Sequence, residues 1–160
     1  MDKYLSTYTN KIDAKGRVSI PAPFRTNLAK EDFEGVFCYP SLDRPAIDAG
    51  GTRLMKHIDN LLQHVGPFAD DYEDLQGAVY GSSITLKIDG DGRIVLPDDL
   101  KAHAGITDQV SFVGLGQSFQ IWQPAAYQRQ AEESRQKLRD FKSRQSELAP
   151  AAGGSTGARE

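Results

Sequence analysis

The apolar and polar positions of the chain repeat one short pattern twice. Runs of β-branched and aromatic residues at 4–9 and 83–88 predict strands, and each run leads into a turn rich in Asp and Gly. A short apolar strand follows each turn and stops at Pro21 or Pro97, residues suited to the first helical position. Each copy is therefore predicted to begin as strand, tight turn, strand and helix.

A second hairpin is predicted after the helix in each copy. In the C-terminal copy it comprises residues 110–113 and 119–122, joined by a Gly-rich turn. Residues 36–39 and the shorter segment 46–47 are the N-terminal counterparts. The repeated unit is therefore ββαββ, and an internal repeat means that the chain builds one small unit twice.

Apolar residues at helical spacing predict two helices between the copies, separated by Gly66 and Pro67. The two apolar faces comprise Leu54, Ile58, Leu61, Leu62 and Val65 in the first helix, and Phe68, Tyr72, Leu75 and Val79 in the second. A further helix is predicted after Pro124. The expected organisation is repeat 1 at 5–51, a helical linker at 52–80, repeat 2 at 81–126, a C-terminal helix at 127–147 and a disordered tail at 148–160.

The two turns have closely related sequences, Asp-Ala-Lys-Gly-Arg at 13–17 and Asp-Gly-Asp-Gly-Arg at 89–93. Glycine is expected at the fourth position of each because a tight turn there favours positive φ. We assign structural roles to the turn residues and the prolines: Asp13, Gly16, Pro21, Asp89, Gly92 and Pro97.

Charge distinguishes the first copy from the rest of the chain. The 160 residues have a formal net charge of −3, yet residues 1–30 carry a net +4 and residues 31–83 a net −7. No apolar run is long enough to span a bilayer, and the N-terminus lacks the apolar stretch of a secretory signal. The single Cys38 excludes an internal disulfide and is expected to be buried, which fits a cytoplasmic protein.

The paired turns, each followed by its proline, resemble the MraZ family, and Gly114-Leu115-Gly116 leading into 119–122 strengthens this resemblance. The resemblance implies an α+β fold of two ββαββ AbrB-like, or swapped-hairpin, half-barrels packed as a pseudo-dimer. It also implies a nucleoid-associated transcriptional regulator of the division and cell-wall gene cluster. Such a regulator is expected to form a ring-like homo-oligomer on promoter DNA with direct repeats.

The basic first copy supplies most of the candidate DNA-binding residues. They are Lys11, Lys15, Arg17, Arg25 and Arg93. Arginine binds guanine bidentately, lysine neutralises phosphate, and a helical Arg25 is better placed for phosphate than for a base. Each turn arginine has an alternative role as a brace to Asp13 or Asp89. For the second turn the brace is favoured, because Asp91 repels phosphate.

No enzyme, metal or cofactor signature is found in the sequence. His57 and His64 are two helical turns apart, which is too far for a simple shared metal, and the Gly-rich turns lack the Lys-Ser/Thr of a phosphate loop. We therefore expect no catalytic activity, no cofactor, no small-molecule ligand and no membrane partner. The alternative function is an antitoxin-like protein-interaction module, because AbrB-like folds also serve that role.

Overall fold

The computed structural model describes the backbone of residues 2–158 and the side chains of residues 2–148. The chain forms two compact units, Met1–Pro124 and Ala125–Glu160. In chain order the elements are β1 (Thr7–Lys11), β2 (Arg17–Ser19), α1 (Ala22–Lys30), β3 (Val36–Pro40), β4 (Ala46–Gly50), α2 (Thr52–Val65), α3 (Tyr72–Val79), β5 (Ile84–Leu86), β6 (Arg93–Val95), α4 (Asp98–Ala104), β7 (Gln109–Gly114), β8 (Phe119–Trp122) and α5 (Pro124–Ala158). The order confirms the predicted ββαββ unit in both copies.

Strands from the two repeats are interleaved. The larger sheet has the order β1-β7-β8-β4-β3-β5, so the first strand of each repeat pairs with the third strand of the other. The second strands, β2 and β6, pair with each other in a separate antiparallel ribbon. Neither repeat completes its sheet alone, and this exchange of hairpins confirms the predicted α+β swapped-hairpin pseudo-dimer.

The core lies between the sheets and helices α1 and α4. Tyr4, Phe24 and Phe119 are fully buried there, with ring centroids 4.9–5.3 Å apart. Cys38 is buried in the same cluster, as predicted, and burial raises the pKa of its thiol to about 12. The thiol therefore stays protonated near neutral pH and acts as a small apolar group.

The first strand is shorter and later than predicted. β1 begins at Thr7, whereas the pattern predicted a strand over residues 4–9. Ser6 has a φ of 73°, which breaks the extended backbone, and Tyr4 instead exchanges backbone hydrogen bonds with Gly116 at 2.8 and 2.9 Å. Tyr4, which the pattern placed in the strand, therefore lies before β1 and packs in the core.

The starts of helices α1, α4 and α3 also differ from prediction. Pro21 and Pro97 occupy the position just before helices α1 and α4, and their carbonyls accept bonds from the first turn. Phe68 was expected on the apolar face of the second linker helix. That helix begins at Tyr72 instead, and Phe68 is 98% exposed in the preceding loop.

The second unit contains most of α5, which is assigned as helix to Ala158 and so extends past the predicted end at residue 147. The expected disordered tail, 148–160, falls largely on residues whose side chains lie outside the description, and it stays a prediction. None of the helices in the described part of the chain is both long and apolar enough to cross a bilayer.

Candidate nucleic-acid interface

The β2–β6 ribbon has one buried and one outward face. Val18 and Ile94 lie opposite each other and are 1% exposed, so they fix the ribbon to the core. The alternate positions face outward: Arg17 pairs with Val95, and Arg93 pairs with Ser19. Because the strands are antiparallel, the two Asp–Gly–Arg turns lie at opposite ends of the ribbon.

The first turn is built around the carboxylate of Asp13. Its Oδ1 accepts hydrogen bonds from the backbone N–H groups of Lys15 and Arg17 at 2.9 and 2.8 Å. Its Oδ2 accepts from Arg17 Nε at 2.7 Å. Gly16 closes the turn with a φ of 82°. The Arg17 backbone N–H and guanidinium, together with the Lys15 N–H, hold the pKa of Asp13 below its usual value.

The second turn repeats this geometry in the other half. Asp89 Oδ1 accepts from the N–H groups of Asp91 and Arg93, both at 2.9 Å, and its Oδ2 accepts from Arg93 Nε at 3.1 Å. Gly92 has a φ of 79°. The same backbone donors and guanidinium lower the pKa of Asp89. Both arginines therefore act as turn braces, the alternative weighed from the sequence.

The two guanidinium groups differ at their terminal nitrogens. Arg93 Nη2 donates to Asp91 Oδ2 at 3.0 Å, so carboxylates bind both Nε and one terminal nitrogen of Arg93. At the position equivalent to Asp91 the first turn has Lys15, which is exposed. Among the described residues, Arg17 forms an ion pair only through Nε, to Asp13. Counting only the residues of the turns themselves, the first has two cations and one carboxylate, whereas the second has one arginine and two carboxylates.

Arg25 crosses from the first repeat to the second turn. Its Nη1 donates to the carbonyl of Ile20 at 2.9 Å. A Cβ built on Gly92 would lie 2.7 Å from Arg25 Cζ and 2.8 Å from Cδ, so the arginine covers this glycine. The same test at Gly16 meets only Val95, at 3.8 Å. Arg25 is therefore not beside Lys15 and Arg17 but at the other end of the ribbon.

Lys11 lies at the end of β1, next to the ribbon. It is exposed, and its backbone position is opposite Gln109 of β7. The neighbouring Asn10 donates through Nδ2 to the carbonyl of Ser19 at 2.7 Å, which ties β1 to β2. Asn10 was not singled out from the sequence, because a polar residue in a strand carries no signal for its partner.

A buried carboxylate that sequence reasoning also missed fixes the N-terminal segment. Glu31 Oε2 accepts from the Tyr4 hydroxyl at 2.5 Å, and Oε1 accepts from the backbone N–H of Arg53 at 2.8 Å. The Arg53 guanidinium lies 5.5 Å from the centre of the Tyr4 ring. Glu31 therefore links the start of the chain, the end of α1 and the first turn of α2. No local sequence pattern indicates these contacts, because the partners are more than 20 residues from Glu31 along the chain.

The described residues contain no group of three or more His, Cys, Asp or Glu side chains arranged to hold a metal ion. His64 Nδ1 contacts the carbonyl of Asn60 at 2.8 Å on its own helix. His57 lines a separate surface depression with Asp43 and Asp48.

Asp48 lies in the central strand pair β4–β8, where burial raises the pKa of its carboxyl group. Its Oδ1 accepts a hydrogen bond from Gln120 Nε2 at 2.7 Å.

Interleaved ββαββ repeats, with a ribbon that displays paired Asp–Gly–Arg turns, define a swapped-hairpin protein of the AbrB-like class. A family model described as "MraZ protein, putative antitoxin-like" matches residues 80–147. Proteins named transcriptional regulator MraZ are similar over most of their length. The one from Xanthobacter autotrophicus is 54% identical, and the match covers 89% of this chain and 90% of that protein.

Two further relatives carry the same name. The Azorhizobium caulinodans protein is 50% identical over 89% of this chain and 90% of its own length. The Gluconobacter oxydans protein is 43% identical, and the match covers 100% of both chains. The chain belongs to the MraZ family.

Proposed function

We propose that this chain is a sequence-specific DNA-binding transcriptional regulator that contacts DNA mainly through its first turn. The observation that carries the proposal is that exposed Lys15 lies beside Arg17, whose guanidinium forms an ion pair only through Nε among the residues that the structure describes. The names of the relatives, transcriptional regulator MraZ, support the same function. We propose no catalytic role.

The brace to Asp13 prepares Arg17 for base recognition. A guanidinium fixed at Nε keeps its two terminal nitrogens for the O6 and N7 atoms of guanine, and pre-organisation reduces the side-chain entropy lost on binding. Lys15, two residues earlier, supplies a flexible point charge for an adjacent phosphate. We infer that this turn enters a DNA groove in the manner of β-ribbon readers.

The remaining candidates are assigned to the DNA backbone or to the scaffold. Lys11 is exposed beside the ribbon, and Arg25 keeps donors beyond the one bound to Ile20, so both are suited to phosphate. Arg93 braces the second turn, because Asp89 and Asp91 both bind it. The DNA contact is therefore asymmetric within one chain.

A ring-like homo-oligomer would compensate for the small contact made by each chain. We propose that it binds direct repeats in the promoter of the division and cell-wall gene cluster, as a cytoplasmic, nucleoid-associated protein. Once one turn has bound a DNA molecule, the other turns of the same ring meet the neighbouring repeats at a high effective concentration. The overall affinity then exceeds that of a single turn by factors of about 10²–10⁴.

The test is binding of the full chain to the DNA upstream of its own gene, measured by fluorescence anisotropy at several salt concentrations. The double variant Lys15→Ala/Arg17→Ala should bind at least about 100-fold more weakly, with a shallower dependence on salt because fewer phosphates are neutralised.

A matched control removes the same two charges from α5. Lys142 and Arg144 have the same spacing as Lys15 and Arg17, and they lie outside the sheet unit. Lys142→Ala/Arg144→Ala should bind within about threefold of the parent chain. Equal binding by the parent and the folded Lys15/Arg17 variant would refute the proposed contact.

The second candidate is an antitoxin-like module that binds a protein. The description of the matching family model favours it, as do Leu138 and Phe141 of α5, which are 61% and 50% exposed. This function predicts a stoichiometric protein partner that co-purifies with the chain and is lost when Leu138 and Phe141 become Ser. Absence of such a partner, together with promoter binding, would eliminate it.

A further inference from the structure

A surface depression of about 540 Å³ lies between helix α1 and strand β5. Leu28 and Phe33 form part of its apolar wall, and Arg25 and Lys87 supply two cations. We call it the α1–β5 depression. Because Arg25 also covers Gly92 of the second turn, the depression opens at that end of the ribbon.

Lys87 is the counterpart of Lys11 in the second copy. Each lysine lies two residues before the aspartate of its turn, and each is exposed. The sequence singled out Lys11 and not Lys87, because Asp89 and Asp91 offset the positive charge of the second copy. The fold gives Lys87 a cationic neighbour from the other repeat, Arg25.

The acids of the second turn do not neutralise these two cations. Asp89 and Asp91 both bind Arg93. Among residues 2–148, Lys87 forms no ion pair, and Arg25 donates a side-chain hydrogen bond only to a backbone carbonyl. Both side chains therefore keep donors for an anion from outside the chain.

One carboxylate lies in the α1–β5 depression among the described residues, that of Glu34. It is exposed and forms no ion pair within residues 2–148. The two cations outnumber this acid, so the depression as a whole favours an anion. Guanidinium and ammonium groups form strong charge-assisted hydrogen bonds with phosphate oxygens.

We propose that Arg25 and Lys87 bind a phosphodiester of the DNA backbone while the first turn contacts bases. This contact rests on the DNA binding of the proposed function and adds a second point of attachment to it. The three-residue strands of the ribbon span about 10 Å, and the major groove is about 12 Å wide. With the first turn on base edges, the second end of the ribbon lies near the phosphates that border the groove.

Fluorescence anisotropy of the full chain on two DNA fragments tests the contact. One fragment is the DNA upstream of the chain's own gene, and the other has the same length and composition in shuffled order. Lys87→Ala should bind both fragments about tenfold more weakly at low salt. The salt slope should fall by about one per bound chain, because a phosphate contact carries no sequence information.

Two further lysine variants are controls. Lys87→Arg keeps the cation and should bind both fragments within about twofold of the parent chain. Lys56→Ala removes an exposed lysine of α2 that lines a different depression, and it too should stay within about twofold. Equal affinity of Lys87→Ala and Lys56→Ala would overturn the proposal.

Removal of the carboxylate from the same depression should have the opposite effect. Glu34→Gln should raise the affinity for both fragments about threefold. Glu73→Gln, at an exposed acid of α3, is the matched control and should change neither affinity. Equal gains in the two variants would mean that net charge alone is responsible, and would overturn the assignment to this depression.

The ratio of the two affinities separates this contact from the proposed function. Lys15→Ala/Arg17→Ala should lower the preference for the upstream fragment, whereas Lys87→Ala should leave it unchanged. A parent chain without that preference would refute sequence-specific recognition, yet an equal loss on both fragments would still support the phosphate contact. A loss confined to the upstream fragment would overturn it. Calorimetric binding of inorganic phosphate that Lys87→Ala abolishes, with DNA affinity unchanged, would overturn it in favour of a small anion.

Discussion

The two Asp–Gly–Arg turns have the same backbone geometry and differ in the contacts of their arginine side chains. In each turn a carboxylate accepts from two backbone N–H groups and from the arginine Nε. Asp91 then binds Arg93 Nη2, whereas its counterpart Lys15 adds a second cation beside Arg17. One repeated element thus serves as scaffold in both halves, and we propose that the residue two positions after the aspartate distinguishes the copy that contacts DNA.

Lys15→Asp should have the largest effect, because it gives the first turn the charge pattern of the second. The new carboxylate is expected to bind Arg17 as Asp91 binds Arg93, and it repels phosphate. Promoter affinity should fall about 100-fold, equivalent to about 2.7 kcal/mol. Fluorescence anisotropy measures the loss, and affinity within threefold of the parent would contradict it.

Asp91→Lys is the reverse exchange, with a smaller expected gain. It releases Arg93 Nη2 and adds a cation, so affinity should rise about tenfold, or about 1.4 kcal/mol. The gain is limited because Arg25 still covers Gly92. Asp98→Lys, which makes the same charge change in the first turn of α4, is the control. An equal gain in both variants would show that net charge, not turn geometry, is responsible.

Replacing each turn glycine by alanine should separate the cost of positive φ, which both positions share, from the cost of displacing Arg25, which only Gly92 has. Gly16→Ala and Gly92→Ala each place a side chain at positive φ, which costs about 1 kcal/mol of folding stability. Gly92→Ala must also displace Arg25 from its bond to Ile20, which adds about 1 kcal/mol. Urea midpoints measure the difference, and equal losses would mean that Arg25 moves aside freely.

Acid should weaken both braces in the same pH range, which is the smallest effect. The folded-state pKa values of Asp13 and Asp89 lie below the usual 3.8. Their stabilisation is therefore complete above that value and is lost as pH falls through the lowered folded-state pKa values. The Arg17 and Arg93 Nε–H resonances should shift together in an NMR titration. A shift of one alone would show that the turns are not equivalent as scaffolds.

Local sequence patterns predicted the elements better than their partners. Alternation and turn residues identified both hairpins of each repeat, because these signals involve neighbouring residues. The exchange that pairs β1 with β7 and β5 with β3 was expected only from the family resemblance. Pairing between distant strands depends on tertiary packing, which no short window of sequence contains.

Errors in the prediction also have physical causes. Phe68 fits helical spacing with Tyr72, yet spacing alone does not distinguish an inward from an outward ring, and the helix begins after it. The difference in charge between the turns was visible in Lys15 and Asp91. The contact between Arg25 and Gly92 could not be predicted from the sequence, because these residues meet only after the repeats interleave.

The most direct test of this asymmetry compares Arg17→Ala with Arg93→Ala in one promoter-binding assay. Each variant removes the same side chain from the same position of an equivalent turn, and urea midpoints correct for any loss of folding. We expect a loss of about 100-fold for Arg17→Ala and of no more than about threefold for Arg93→Ala. Equal losses, or a larger loss at Arg93, would contradict it.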